Sequence, residues 1–250
     1  MGEIRLGNDI LGQGIPKICV PLTGKTKEEV ERMASEAGKL PEADLAEWRA
    51  DYFDGHTSVS SVREVLGAIQ ACCPGLPLIT TFRSAREGGF SRLSDELYAS
   101  LVTAACRMGV WAVDLELSRG EEQVRKLIEL CRSYGTVVIL SSHEFRRTPS
   151  VHTMTARLEK MYEWGADLCK LAVMPENARD TLRLMEAALI MKEKHPDALL
   201  VTMAMGEAGK ISRIAGERFA SCLTFGSAGN ESAPGQIPVR KLRCAMEALH

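Results

Sequence analysis

Val137-Val138-Ile139-Leu140-Ser141-Ser142-His143 and Asp167-Leu168-Cys169-Lys170-Leu171-Ala172-Val173 are two short, mostly apolar runs that read as buried strands. Between them Met154, Leu158, Met161 and Trp164 recur at helical spacing. The same alternation of strand and helix runs outward in both directions. Apolar strand runs fall at residues 17–22, 45–52, 76–82, 112–117, 137–142, 168–173, 199–203 and 222–225. Leu97, Leu101, Ala105 and Met108 form one further helical stripe, and Leu182, Met185 and Leu189 another. These stripes read as helix faces packed on a sheet, and nothing in them resembles a cofactor box. Gly109, Gly135 and Gly165 stand where helices should stop, and Thr26, Ser94 and Ser150 where three should start.

Eight strand–helix units in 250 residues predict a (β/α)8 TIM barrel. A doubly wound open sheet would usually carry a phosphate-binding glycine loop after its first strand, and Pro21-Leu22-Thr23-Gly24-Lys25 is not one. Gly12-Gln13-Gly14 precedes a strand and lacks a third glycine. It is read as the turn of an N-terminal β-hairpin over residues 4–18 that closes the barrel floor. No low-complexity segment or linker interrupts the chain, so residues 1–250 are expected to form a single domain.

The chain is 45% hydrophobic and 26% charged, with net charge −2 and a sequence pI near 6.3. That composition predicts no nucleic-acid partner and no membrane surface. Met1-Gly2-Glu3-Ile4-Arg5-Leu6 has no apolar core for a signal peptide, Leu6 breaks the myristoylation pattern, and no apolar run is long enough to span a bilayer. A cytoplasmic location follows as the expectation. Eight cysteines without a CxxC pair are expected to be reduced, buried, small apolar residues.

Lys170 is the oddity in this pattern. Lysine is rarely buried, and burial without a partner is costly and lowers its pKa. A neutral amine so produced can attack a carbonyl and form a Schiff base. His143 ends the preceding strand, which places a proton-transfer group beside it. For Lys170 alone, a side chain snorkelling out of the sheet edge is the plainer reading. Its company argues otherwise. Side chains alternate along a barrel strand, so if Lys170 points inward, Leu168 and Ala172 share its face while Cys169 and Leu171 face the helices. The same rule puts Glu47 with Arg49, Thr81 with Arg83, Asp114 with Glu116, and Met203 with Met205 on interior faces, and leaves Trp48, Phe82 and Leu115 outside. A buried ion network could be structural, but apolar packing would serve stability as well. Charges clustered at the C-terminal ends of barrel strands mark an active site. Arg49 and Arg83 are expected to lower the Lys170 pKa further.

These residues resemble the type I 3-dehydroquinate dehydratases, the Schiff-base enzymes of the shikimate pathway. The resemblance rests on Glu47-Trp48-Arg49, Thr81-Phe82-Arg83-Ser84-Ala85-Arg86-Glu87-Gly88-Gly89, Ser142-His143, Lys170 in its strand, Met203-Ala204-Met205-Gly206 with Ser212-Arg213, and Thr224-Phe225-Gly226-Ser227-Ala228 through Ser232-Ala233-Pro234-Gly235-Gln236. It covers nearly the whole chain, and it implies syn loss of water from 3-dehydroquinate. Lys170 would attack the C3 ketone, and His143 would take the C2 proton and protonate the departing C1 hydroxyl. Glu87, in isolation a solvated loop acid, would set the His143 tautomer. Arg213, otherwise a surface arginine on a first helical turn, would grip the substrate carboxylate. Glu47, Arg49 and Arg83 would meet the ring hydroxyls and ketone. Met203, Met205 and Phe225 would form an apolar wall. Ser232 lies in the loop at 226–235 and Gln236 directly follows it, and that loop would fold over the substrate or else be a plain connection. The resemblance also implies a homodimer and a small-molecule substrate. It requires no cofactor and no metal. The rival readings are another Schiff-base barrel such as a class I aldolase, a binding barrel without catalysis, and quinate breakdown by the same chemistry.

Overall fold

The computed structural model describes residues 4–7, 9–229 and 233–250. Strands β1 (Ile4–Leu6) and β2 (Asp9–Leu11) form an antiparallel hairpin. The barrel follows as β3 (Lys17–Leu22), α1 (Lys27–Ala37), β4 (Leu45–Arg49), α2 (Val59–Cys72), β5 (Leu78–Thr81) and α3 (Asp95–Arg107). It continues through β6 (Ala112–Glu116), α4 (Glu121–Ser133), β7 (Val137–Glu144), α5 (Val151–Glu163), β8 (Leu168–Val173) and α6 (Ala178–Lys194). It ends with β9 (Leu200–Ala204), α7 (Lys210–Ile214), β10 (Leu223–Ser227), a two-residue β11 (Ile237–Pro238) and α8 (Val239–Glu247). Strands β3 to β9 pair in chain order and in parallel, and β10 pairs with β3. A bridge between Leu200 and Ser221, with the Cys222 amide donating to Leu200 O at 2.8 Å, joins the last strands and closes the barrel.

Local signals set these boundaries. Thr26, Ser94 and Ser150 accept from the amides of Glu29, Leu97 and Thr153 as N-caps of α1, α3 and α5. Gly109, Gly135 and Gly165 take positive φ just past their helices. Two expectations need correction. The hairpin turns between Leu6 and Asp9, where Gly7 has φ 61°, and Gly12 and Gly14 belong to the link into β3. On α6, Leu182 is 60% exposed and Leu189 is exposed as well, while the sheet-facing side is Thr181, Leu184, Met185, Ala187, Ala188 and Met191.

The interior has two storeys. At the N-terminal end, Cys19, Leu45, Ile79, Ala112, Ile139, Leu168, Val201 and Leu223 pack into one apolar cluster, and Leu6 and Leu11 of the hairpin plug it from below. Two residues further along the same strands stand Glu47, Thr81, Asp114, Ser141 and Lys170, all buried. Trp48, Phe82, Leu115, Cys169 and Leu171 alternate outward into the larger core between strands and helices. Burying each such large side chain contributes roughly 1.5–3 kcal/mol, so apolar layers on both sides hold the charged storey in place. All eight cysteines are free thiols; six are buried, Cys72 is half-buried and Cys244 is exposed, which corrects the expectation for those two. Among the described residues no helix is long and apolar enough to cross a membrane.

Candidate active site

A cleft at the C-terminal ends of the strands is lined by Glu47, Arg49, Arg83, Glu87, His143, Lys170, Met203, Met205, Arg213, Phe225 and Gln236. These include every residue to which the resemblance gives a role except Ser232, which lies outside the described residues; Asp114 and Glu116 of the charged ring are buried but do not line the cleft. The two-residue alternation of the strands explains the convergence. Glu47, Lys170, Met203 and Phe225 stand one inward step above the apolar floor, and Arg49, Arg83, His143 and Met205 stand one step higher.

Lys170 is 3% exposed. Its Nζ donates to Glu47 Oε1 at 3.1 Å and to Asp114 Oδ2 at 3.0 Å, and lies 4.6 Å from the centre of the Phe225 ring. This overturns the expected direction of its pKa. Burial works to lower it and Arg83 adds to that, but Asp114 and Glu47 outweigh both and hold the amine above its ordinary value. Arg49 is not the influence expected of it, since its guanidinium is spent in a fork on Asp51, at 2.8 and 2.9 Å. In the resting site Lys170 is an ammonium.

Arg83 is the hub of the network. It contacts Asp114 at 2.7 Å, Glu116 at 3.2 Å and Ser141 Oγ at 2.9 Å. Burial alone would raise the Asp114 pKa, but Arg83 and Lys170 hold that carboxyl well below the usual range.

Glu87 sits on a short turn (Ala85–Glu87) that curls over the barrel mouth. Gly89 makes that curl possible, because a Cβ there would lie 2.2 Å from Arg83 O. Glu87 Oε2 lies 2.9 Å from His143 Nδ1 and accepts the His143 amide at 3.0 Å, and Oε1 accepts Ser118 Oγ at 2.6 Å. Burial raises the Glu87 pKa, yet the backbone amide and Arg83 both favour its ionised form. A carboxylate can only accept, so Nδ1 carries the proton and Nε2 keeps a lone pair. Burial, with Arg83 and Lys170, pushes the His143 pKa well below its ordinary value. His143 is thus a neutral base set in one tautomer.

That depression has a consequence for stability. The unfolded chain takes up a proton on His143 near its ordinary pKa of about 6.5, and the folded chain does not. The histidine's contribution is therefore complete above that pH and declines as the pH falls below it. The fall in Tm between about pH 6.5 and pH 5 should be smaller in His143→Asn than in the parent chain. An identical fall in calorimetric scans would show that the imidazole titrates normally.

Arg213 is 1% exposed on the short α7, with Nη2 donating to Pro234 O at 3.2 Å. The Gly206 amide donates to the same carbonyl at 3.0 Å. The end of the β10–β11 loop is thereby tied to the segment that carries Arg213. Four participants were missed in the sequence. Asp51 anchors Arg49, Ser118 supports Glu87, Ser141 bridges Arg83 and Asp114, and Phe145 lines the cleft beside His143. Ser141 and Phe145 flank His143 at steps of two, so the alternation that found Lys170 would have found them.

The family model for type I 3-dehydroquinase matches residues 18–250. The chain belongs to the type I 3-dehydroquinases. A 3-dehydroquinate dehydratase of Bacillus licheniformis is 45% identical over 241 residues, covering 96% of this chain and 94% of the relative. One from Klebsiella pneumoniae is 42% identical and covers 98% of both. The solved type I 3-dehydroquinate dehydratase of Clostridium difficile, with covalently modified comenic acid, superposes with TM-score 0.95 at 38% identity, over 99% of this chain and 98% of that one. The enzyme is accordingly a hydro-lyase whose activity is dehydration of 3-dehydroquinate.

Proposed function

We propose that the enzyme works through a Schiff base on Lys170, forming 3-dehydroshikimate by syn elimination. The observation that carries this reading is a buried lysine amine in one cleft with a tautomer-set, neutral histidine. Lys170 first sheds a proton. Glu47 Oε1 and Asp114 Oδ2 are the acceptors at hydrogen-bond distance, and Asp114 is the poorer one because Arg83 stabilises its anion. The free amine attacks the C3 carbonyl, and the carbinolamine loses water to give the iminium. The iminium draws electrons from the C2–H bond, and His143 Nε2 takes that proton. The electron pair returns through C2–C1 as the C1 hydroxyl leaves, protonated by the same imidazole on the same face. Water then hydrolyses the imine and frees Lys170, so the net change is loss of one water. The covalently modified comenic acid in the Clostridium difficile relative lends support to covalent chemistry in this barrel.

Arg213 is assigned the substrate carboxylate, which a guanidinium grips through two parallel hydrogen bonds. Arg213→Ala is expected to raise KM by about 10- to 100-fold, as for loss of a charged hydrogen bond, with a smaller change in kcat. An unchanged KM in steady-state assays would remove Arg213 from that role. Gln236, buried at the rim of the cleft, is assigned to the substrate side in this reading. We assign the reaction to the shikimate route to aromatic amino acids, with quinate breakdown as the alternative use of the same chemistry. Growth of a deletion strain without aromatic amino acids would refute the biosynthetic assignment. We also infer a homodimer. Leu182 and Leu189 on α6 and Ile211 on α7 are exposed apolar side chains, as a subunit contact requires. A sedimentation mass equal to one chain would exclude it.

The mechanism is tested by trapping. Borohydride added to enzyme and 3-dehydroquinate should leave a stable adduct on the peptide containing Lys170. Dehydration without any adduct would mean a non-covalent enolate route.

A further inference from the structure

Behind the turn that carries Glu87 lies a second cleft of about 660 Å³, which shares no lining residue with the active site. Its walls come from the β5–α3 segment and from the turn between β6 and α4, and they are basic. Arg86 and Arg92 are exposed and carry no ion pair or hydrogen bond among the described residues. Arg119 differs from both. Its side chain is 9% exposed and its guanidinium lies 3.4 Å from the centre of the Tyr98 ring, with Nη1 on Asp95 at 3.2 Å. That packing fixes the guanidinium in position and leaves Nε without a hydrogen-bond partner. Two hydroxyls of the same cleft, Ser84 Oγ and Ser91 Oγ, are also buried without a partner, and Ser91 is 1% exposed.

A buried polar group left unpaired costs about 1–3 kcal/mol. Three around one cleft are therefore a departure that packing does not explain. Guanidinium and hydroxyl donors in this number suit the oxygens of a phosphate group. The acids on the wall do not reverse that sign. Asp95 is paired with Arg119, and Glu116 Oε1 already accepts from Arg83 Nη1 at 3.2 Å and from the Ser84 amide at 2.7 Å. Arg86 and Arg92 remain in excess, which also argues against a cation.

We propose that this cleft binds a phosphate group, as free phosphate or as a small phosphomonoester. The site is linked to His143 through Ser118 and Glu87. Ser118 lines the cleft and donates to Glu87 Oε1, so a ligand there bears on the carboxylate that orients His143.

The test is calorimetric titration of the full-length enzyme with inorganic phosphate, and separately with glycerol phosphate, at constant ionic strength. One saturable site is expected for at least one of them, and the tighter of the two names the source. Arg86→Ala/Arg92→Ala should weaken binding about tenfold or more, as expected for lost charged hydrogen bonds. Ser91→Ala should weaken it several-fold with Tm unchanged or raised, because the hydroxyl it removes is unpaired in the empty site. Arg213→Ala, a control for anion capture in the active site, should leave the isotherm unchanged. The proposal is overturned by an isotherm indifferent to the double variant, by one lost in Arg213→Ala, or by no saturable binding of either probe up to about 10 mM.

Discussion

Lys170→Ala is expected to lower kcat on the order of 10⁴-fold or more, the scale seen when a covalent nucleophile is removed. It should also destabilise the protein, because Glu47 and Asp114 lose the cation between them. Breaking one partner out of a buried ion pair costs about 3–5 kcal/mol, and Arg83, still bound to Asp114, places this case toward the lower end. The pH dependence follows from Asp114. In the parent chain its folded pKa is depressed, so it contributes stability that is full above the unfolded value of about 3.9 and is lost as the pH falls through the folded value. Removing Lys170 takes away part of that depression. The Tm gap between parent and variant should therefore be widest near neutral pH and narrow below about pH 4. Lys170→Arg separates the two effects, since it keeps a cation but supplies no nucleophile. Turnover near the parent rate in either variant would end the Schiff-base assignment.

His143→Ala is expected to cost about 10²- to 10⁴-fold in kcat, the usual contribution of a positioned acid–base group. Imine formation should survive, because the Nζ contacts are with Glu47 and Asp114 and not with the imidazole. Borohydride treatment of this variant with substrate should still label Lys170, and the adduct should accumulate because elimination is blocked. The combination of slow turnover and a trapped adduct distinguishes loss of the base from general damage to the site. Loss of the adduct together with turnover would mean that His143 acts before elimination, in making the imine. Normal turnover would remove it from the reaction.

The barrel was legible because alternation carries two messages along each strand. The apolar step set the fold, and the charged step on the same face set the site. Where the signal was composition rather than alternation, reading failed. Gly12 and Gly14 drew the hairpin turn away from Gly7 because two glycines look more like a turn than one. On α6, the large side chains of Leu182 and Leu189 suggested the buried stripe, whereas the packed face mixes Leu184, Met185 and Met191 with Thr181, Ala187 and Ala188, which carry little apolar signal of their own. The direction of the Lys170 pKa was misjudged because burial was visible in the sequence and its two carboxylate neighbours were not weighed against it. Asp51 was missed because its role depends on the turn after β4 (Ala50–Tyr52), which reverses the chain toward Arg49. Ser118 was missed for the same reason, since it reaches Glu87 from a turn in another unit.

The stacking of an apolar floor beneath a charged storey also constrains how this gene can vary in length. Removing one residue from β6 ahead of Asp114 would turn Leu115 into the barrel and export Asp114 and Glu116 into the apolar layer under the helices. The damage would reach Arg83 and Lys170 on other strands, which depend on those acids. Single-residue insertions and deletions are thus excluded from the strands by chemistry and by folding at once. Related genes should differ in length only in the segments that join strands to helices.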